Sequence, residues 1–205
     1  MAFRITKIPG RPIWHVRFRD RYSLAMTFLR LQEHYESPKF RGKVFDLEEF
    51  MDWYAKQRGG FTYVTDWTGF NVPSTSVMAV LRQFKDHSRK EQALFGELAR
   101  RGILDLDRFY LIGTCEEKDD AVDHEICHGM FFCDPDYRAA VEGVFRGYRL
   151  RGCRRVLQRM GYCKAVLIDE MHAYALTGWP KGMTVSGEMR SLKRDLRQAL
   201  KPFVR

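Results

Sequence analysis

"VDHEICHGMFF", residues 122–132, places two histidines four positions apart, with a glutamate directly after the first. Side chains four apart lie on one face of a helix, about 6 Å from each other along its axis, so His124 and His128 can turn their rings to one point. Glu125 is rotated by about 100° from His124, so its carboxylate stays off that point but within reach of a water bound there. The stretch therefore predicts a helix that holds a metal ion on two histidines, with Glu125 as general base.

The ligand types favour zinc. Zn²⁺ accepts imidazole nitrogen and carboxylate oxygen in tetrahedral geometry, keeps one position open in catalytic sites, and lowers the pKa of a bound water to about 7. The sequence thus predicts Zn²⁺ as the cofactor. A catalytic zinc also needs a third protein ligand, for which Glu170 is the preferred candidate and Asp134 the alternative.

Asp134 lies ten residues after His124, where metzincin proteases with the extended HExxHxxGxxH/D motif place their last ligand. That motif requires a glycine at position 131, where this chain has Phe131. A turn that starts the next helix also accounts for "DPDY", residues 134–137.

Glu170 lies in "AVLIDEMHAYALTG", residues 165–178, on a second predicted helix. Its DExxAY pattern resembles the NExxS/A element with which gluzincins, such as the thermolysin group, supply their glutamate ligand. The resemblance covers these two helices and implies a zincin-like zinc hydrolase, in the first place a peptidase acting on peptide or protein substrates. It implies His124, His128 and Glu170 as zinc ligands.

The same resemblance gives roles to the neighbours of Glu170. Asp169 would be a carboxylate that steadies a histidine, although gluzincins have asparagine there, and His172 or Tyr174 would assist the transition state. Tyr174 lies one helical turn from Glu170 on a similar face, whereas His172 lies about 200° round the helix. We therefore expect Tyr174 in the site and a packing or surface role for His172.

The five cysteines, at positions 115, 127, 133, 153 and 163, form no CxxC pair. Neither a disulfide framework nor a cysteine zinc site is indicated, and a reducing cytoplasmic location is expected. Cys127 lies about 60° round the helix from His124, so we interpret it as a small buried apolar residue and not as a nucleophile.

Length and composition predict one soluble domain over residues 1–205. Apolar residues make up 45% of the chain, which suits a folded core. No apolar run reaches the roughly 18 to 20 residues that a membrane span requires, and no signal peptide is indicated, so no membrane partner is expected.

Charge supports a second hypothesis. The net charge is +9, and from Gly143 onward 14 Lys/Arg stand against 4 Asp/Glu, a balance of +10. This basic C-terminal third could bind nucleic acid or an acidic partner without catalysis, although no nucleic-acid motif accompanies it. A third hypothesis is that the protein is a zincin-like scaffold without catalytic activity.

Periodicity predicts an α+β fold, a helix-rich single domain with a small sheet in the N-terminal half. The resemblance to zincins implies a metal site between two of the helices. Strands are expected at 14–18, in "FTYVTDW" (61–67) and in "RFYLIGT" (108–114), with a loop in "TGFNVPS" (68–74). Asp119, Asp120 and Asp123 would cap the motif helix. The later helices are expected at 137–150, 154–160, 163–176 and 187–200, and the last carries an apolar stripe.

Overall fold

The protein has a helix-rich α+β fold with a four-stranded sheet in its N-terminal half, which confirms the predicted fold class. In this computed structural model the described residues are 3–67, 69–115, 122–160, 162 and 164–203. The chain separates into two compact units, Met1–Val122 and Asp123–Arg205. That both units act as one domain stays a prediction.

The sheet of the first unit has the strand order β1-β2-β4-β3. Its strands are β1 (Phe3–Lys7), β2 (Ile13–Phe18), β3 (Gly69–Pro73) and β4 (Tyr110–Cys115). The central pair, β2 and β4, is parallel, and both edge strands run antiparallel to their neighbours. The strands predicted at 14–18 and 108–114 are thereby confirmed as β2 and β4.

The first unit also contains helices. They are α1 (Arg21–Glu36), α2 (Leu47–Arg58), α3 (Tyr63–Asp66), α4 (Ser74–Gln83) and α5 (Arg89–Arg100). Of these, α1 packs against β2, β3 and β4, and α4 packs against β3. Helix α1 comes closest to the sheet at Gly113 of β4, where an added Cβ would lie 2.8 Å from the ring of Phe28 and 2.9 Å from Leu24. Only a glycine allows α1 to lie so close to the strand.

Two predictions for residues 61–74 are wrong. "FTYVTDW" forms the helical turn α3 instead of a strand, and most of the expected loop after it forms β3. The turn of α3 is held by Asp66, whose Oδ2 accepts hydrogen bonds from Thr62 Oγ1 (2.8 Å) and Tyr54 Oη (2.6 Å). Strand β3 tolerates Pro73 because it is an edge strand and the proline is its last residue.

The second unit consists of helices. They are α6 (Val122–Cys133), α7 (Pro135–Phe145), α8 (Arg151–Arg159), α9 (Leu167–Thr177) and α10 (Gly187–Ala199). The predicted apolar stripe of α10 is buried, and α10 packs against α7 and α9. The predicted helix at 163–176 begins later, because a 3₁₀ turn covers Lys164–Val166. Within the described ranges, the helices are too short or too polar to cross a bilayer.

Candidate metal centre

Helices α6 and α9 of the second unit carry the predicted ligands. The first turn of α6 faces the last turn of α9, where His124 Nδ1 lies 3.1 Å from Thr177 Oγ1. The next turn of α6 faces the start of α9, where His128 Nδ1 lies 2.8 Å from Asp169 Oδ1. Both histidines therefore turn their Nδ1 atoms to partners on α9.

These partners fix where the ring protons lie. Thr177 Oγ1 donates its own proton to the carbonyl of Ala173 (2.8 Å), so towards His124 it can only accept. Nδ1 of His124 then carries a proton and leaves the Nε2 lone pair free in the neutral ring. The carboxylate of Asp169 imposes the same orientation on His128, which is the arrangement that outer partners give to metal-binding histidines.

The two Nε2 atoms and the carboxylate of Glu170 converge. Nε2 of His124 and Nε2 of His128 are 3.1 Å apart, and each lies 3.8 Å from an oxygen of Glu170. The ligand atoms of this group all lie within 4.8 Å of one another. Tetrahedral zinc with bonds of about 2.0 to 2.2 Å separates its ligand atoms by about 3.3 to 3.6 Å.

Burial supports the same interpretation. Glu170 Oε2 is buried without a hydrogen-bond partner among the described residues, which is costly for a carboxylate oxygen unless a cation compensates. Two imidazoles and one carboxylate are also the ligand types that zinc accepts. The residues present therefore fit a zinc ion.

The alternative ligand, Asp134, has another role. It is the N-cap of α7, and its Oδ1 accepts hydrogen bonds from the backbone N–H groups of Asp136 and Tyr137, both at 3.0 Å. In the described part of the chain, the group that can hold a metal contains Glu170 and lacks Asp134. The residues "DPDY" thus start a helix.

Glu125 is half-buried beside this group. Burial raises the pKa of its carboxyl, the charges of His128 and His124 lower it, and Glu170 and Asp169 raise it again. Its Oε2 is also buried without a hydrogen-bond partner among the described residues. A raised pKa makes the carboxylate a stronger base, which is the direction that a general base needs.

Asp169 and His128 form a buried ion pair. Burial opposes the negative charge of Asp169, but the rings of His128 and His172 lower the pKa of its carboxyl to about 2. Burial likewise disfavours the charged ring of His128, but Asp169, Glu170 and Glu125 raise its pKa to about 10. In the metal-free protein these carboxylates favour the protonated ring of His128.

The remaining residues of α9 have distinct positions. His172 is fully buried, its Nδ1 lies 2.5 Å from the carbonyl oxygen of Asp169, and its ring stacks on Phe131 at 5.2 Å. Tyr174 packs its ring 4.5 Å from that of His124. Burial raises the pKa of the Tyr174 hydroxyl, which keeps it protonated.

Two residues at the site have no counterpart among the sequence-based predictions. The hydroxyl of Tyr162 lies 3.0 Å from that of Tyr174, and Thr177 orients His124. Tyr162 stands in a connection outside the helical periodicity, which gave no signal for it. Thr177 lies one turn beyond Tyr174 and could have been found by continuing the α9 face that carries Glu170.

The neighbouring cysteine is not activated. Burial, followed by the charges of Asp169, Asp123 and Glu125, raises the pKa of the Cys127 thiol to about 12, so it stays protonated. A nucleophilic cysteine requires the opposite shift.

Asp123 lies in the first turn of α6. The predicted caps Asp119 and Asp120, and Cys163, lie outside the described residues.

Comparison of the chain with family models, curated proteins and solved structures gives no match. The resemblance to zincins therefore rests on "HEICH" and the DExxAY pattern, and membership of that superfamily stays a prediction.

Proposed function

We propose that the protein is a zinc-dependent hydrolase that cleaves peptide bonds. The observation that carries this proposal is the convergence of His124 Nε2, His128 Nε2 and the Glu170 carboxylate, with the second nitrogen of each ring turned to a partner on α9. Glu125, half-buried beside this group but not one of the ligands, is the general base.

Each residue has a chemical task. When bound, zinc supplies Lewis acidity and lowers the pKa of a coordinated water. Glu125 accepts the proton of the attacking water and delivers it to the leaving amine, for which its raised pKa is suited. The protonated Tyr174 hydroxyl is a hydrogen-bond donor for the negative charge that develops on the carbonyl oxygen.

Metal content is the first test. The purified protein should contain about one zinc per chain by mass spectrometry of the metals, and His124→Ala should lose it. His87→Ala is the matched control, because His87 lies in the first unit outside the metal group. A protein without zinc, or a His124→Ala variant that keeps it, would contradict the proposal.

Turnover is the second test. Glu125→Gln should keep zinc but lower the hydrolysis of a mixed peptide library by at least about 100-fold, the usual contribution of a general base. Glu48→Gln, an exposed glutamate of α2, should leave the rate unchanged. Zinc without any turnover in the unchanged protein would identify a metal-holding scaffold and end the proposal of catalysis.

A further inference from the structure

A groove of about 730 Å³ lies in the second unit, between α8 and the segment that leads into α10. Its lining is mainly aliphatic and sulfur-containing, with Val156 of α8 and Met160 at the end of that helix on one wall and Pro180, Met183 and Met189 on the other. This volume is within the range of ligand-binding clefts. Val156 and Met160 stay 37% and 50% exposed, which is unusual for apolar side chains facing a cleft.

A row of arginines lies on the exposed face of α8 next to the face that lines this groove, and none of them is part of the lining. Arg151, Arg155 and Arg159 are spaced by four residues and so lie on one face of α8, beside the row Gly152, Val156 and Met160. All three arginines are exposed, and none pairs with a carboxylate of the described residues. We call them the arginine row.

Among the described residues, the lining of the groove itself holds one cation and one carboxylate. Lys181 contributes a cation. Glu188, the acidic residue of the lining, already accepts hydrogen bonds from the backbone N–H groups of Arg149 and Leu150, at 2.9 and 3.0 Å. An occupant would therefore meet a mainly apolar floor, and the excess of positive charge beside it comes from the arginine row on α8.

Short lengths of chain connect both walls of the groove to residues at the metal centre. One of these residues contacts Tyr174 and the other contacts His124. Met160 lies two residues before Tyr162, whose hydroxyl contacts Tyr174, and Pro180 lies three residues after Thr177, which contacts His124. A chain spans at most about 3.6 Å per residue, so these walls begin within about 11 Å of those contacts. Short stretches of one chain therefore join the groove to the metal centre.

We propose that this groove binds an acidic segment of the peptide substrate, with apolar side chains on its floor and carboxylates on the arginine row. The assignment rests on the proposed hydrolase function and names its substrate class. Charge complementarity selects the occupant, because carboxylates match the planar guanidinium groups in pairs of hydrogen bonds. A nucleic acid fits less well, since none of the described lining residues is aromatic and could stack on a base.

Peptide binding to the full chain tests this assignment. The protein carries Glu125→Gln so that the probe is not cleaved, and fluorescence anisotropy follows a labelled peptide of sequence Asp-Glu-Leu-Leu-Glu-Asp. A Lys-Lys-Leu-Leu-Lys-Lys peptide and a single-stranded oligothymidine are the comparison probes. The acidic peptide should bind at least tenfold more tightly than either, and less tightly as salt rises.

Two variants locate the binding. Replacing the arginine row with glutamates should weaken binding of the acidic peptide at least tenfold. The control is the triple variant Arg146→Glu, Arg197→Glu and Lys201→Glu, which changes the net charge equally at exposed positions outside the groove. It should bind within about twofold of the parent, since these exposed charges do not line the groove and salt screens them.

The apolar floor is tested in the same assay. Val156→Asp should weaken binding at least fivefold. Val185→Asp, at a valine of equal exposure (38%) that does not line the groove, should not. Equal losses in a variant and its control, no binding of the acidic peptide, or preference for the oligonucleotide would overturn the assignment.

The two proposals fail in different ways. If Glu125→Gln binds the acidic peptide through the groove but the unchanged protein never cleaves it, the hydrolase proposal fails and the groove remains a peptide-binding site. If the unchanged protein cleaves neutral and acidic peptides at equal rates, and loss of the arginine row changes neither rate, the groove assignment fails and the hydrolase remains.

Discussion

Asp169 shows how one side chain on α9 organises a residue on α6. Its Oδ1 lies 2.8 Å from His128 Nδ1 and 3.4 Å from His172 Nδ1. The carboxylate holds the ring of His128 in the orientation that points Nε2 at Glu170. The gluzincin pattern has asparagine at this position, and an asparagine oxygen can accept the same hydrogen bond without the charge.

We therefore expect Asp169→Asn to lower zinc affinity by about 10- to 100-fold, the usual cost of changing a partner of a metal-binding histidine. Competition with a chromophoric chelator at pH 7 measures this change. Asp195→Asn is the control, because Asp195 lies on α10 and contacts Tyr148 and Arg194. Equal affinities of Asp169→Asn and the unchanged protein would mean that the charge of Asp169 is not needed.

At the scale of single elements, the start of α7 separates the two candidates for the third ligand. Asp134→Ala removes the cap that accepts the N–H groups of Asp136 and Tyr137, and should lower the free energy of unfolding by about 1 kcal/mol. It should leave the zinc content unchanged. Glu170→Ala should lose zinc. Denaturant unfolding and metal analysis of both variants measure these effects, and loss of zinc from Asp134→Ala alone would reverse the assignment.

The contact of α1 with β4 provides a second prediction at this scale. Gly113→Ala places a methyl group 2.8 Å from the ring of Phe28, where all neighbours are buried. We expect a loss of about 1 to 3 kcal/mol in the free energy of unfolding, because overpacking displaces α1 from the sheet. Gly96→Ala, on α5 with open space around the added atom, should be neutral or stabilising. A Gly113→Ala variant as stable as the parent would contradict this packing.

The elements also show what periodicity can predict. The alternation of Trp14, Val16 and Phe18 correctly predicted β2, and the apolar stripe of α10 correctly predicted a buried helix. Both predictions succeed because an element with one buried face has apolar residues at regular intervals in the sequence. Residues 61–74 gave the wrong assignment. There the aromatic and β-branched composition favoured a strand, but hydrogen bonds to Asp66 hold a helical turn.

The residues of the metal centre likewise divide into those that the sequence predicts and those that it does not. His124 and His128 follow from spacing within one helix, and Glu170 was found through a resemblance in a second helix. Tyr162 and Thr177 were not predicted, because their contacts depend on how α6, α9 and the connection before α9 pack together. Contacts between separate elements produce no periodic pattern in the sequence.

At the scale of the whole molecule, alkaline pH should destabilise the fold through Tyr54. Burial and the hydrogen bond to Asp66 raise the pKa of its hydroxyl from 10.0 to about 12. The folded protein holds this proton more tightly than the unfolded chain, so the contribution to stability is complete below pH 10 and is lost as pH rises towards 12.

Urea unfolding between pH 9 and 12 measures this loss. Tyr54→Phe should be less stable at pH 9 but should show a smaller decrease above pH 10, because it removes the proton in question. Tyr22→Phe, at a tyrosine that is 57% exposed, should follow the parent at every pH. Parallel curves for Tyr54→Phe and the parent would contradict this origin of the pH dependence.

Zinc should stabilise the molecule by mass action. A ligand that binds the folded protein adds RT ln(1 + [L]/Kd) to the free energy of unfolding, about 2.7 kcal/mol when free zinc is 100 times Kd and about 1.4 kcal/mol more for each further tenfold. Denaturant unfolding at two buffered zinc concentrations measures the increment. Asp134→Ala should keep it, whereas His124→Ala and Glu170→Ala should lose it. An increment that survives in these two variants would place the bound zinc on other residues.

Binding of zinc to the free cysteines of the unfolded chain would lower the increment in every variant alike. The difference between Asp134→Ala and Glu170→Ala therefore isolates the contribution of the metal centre.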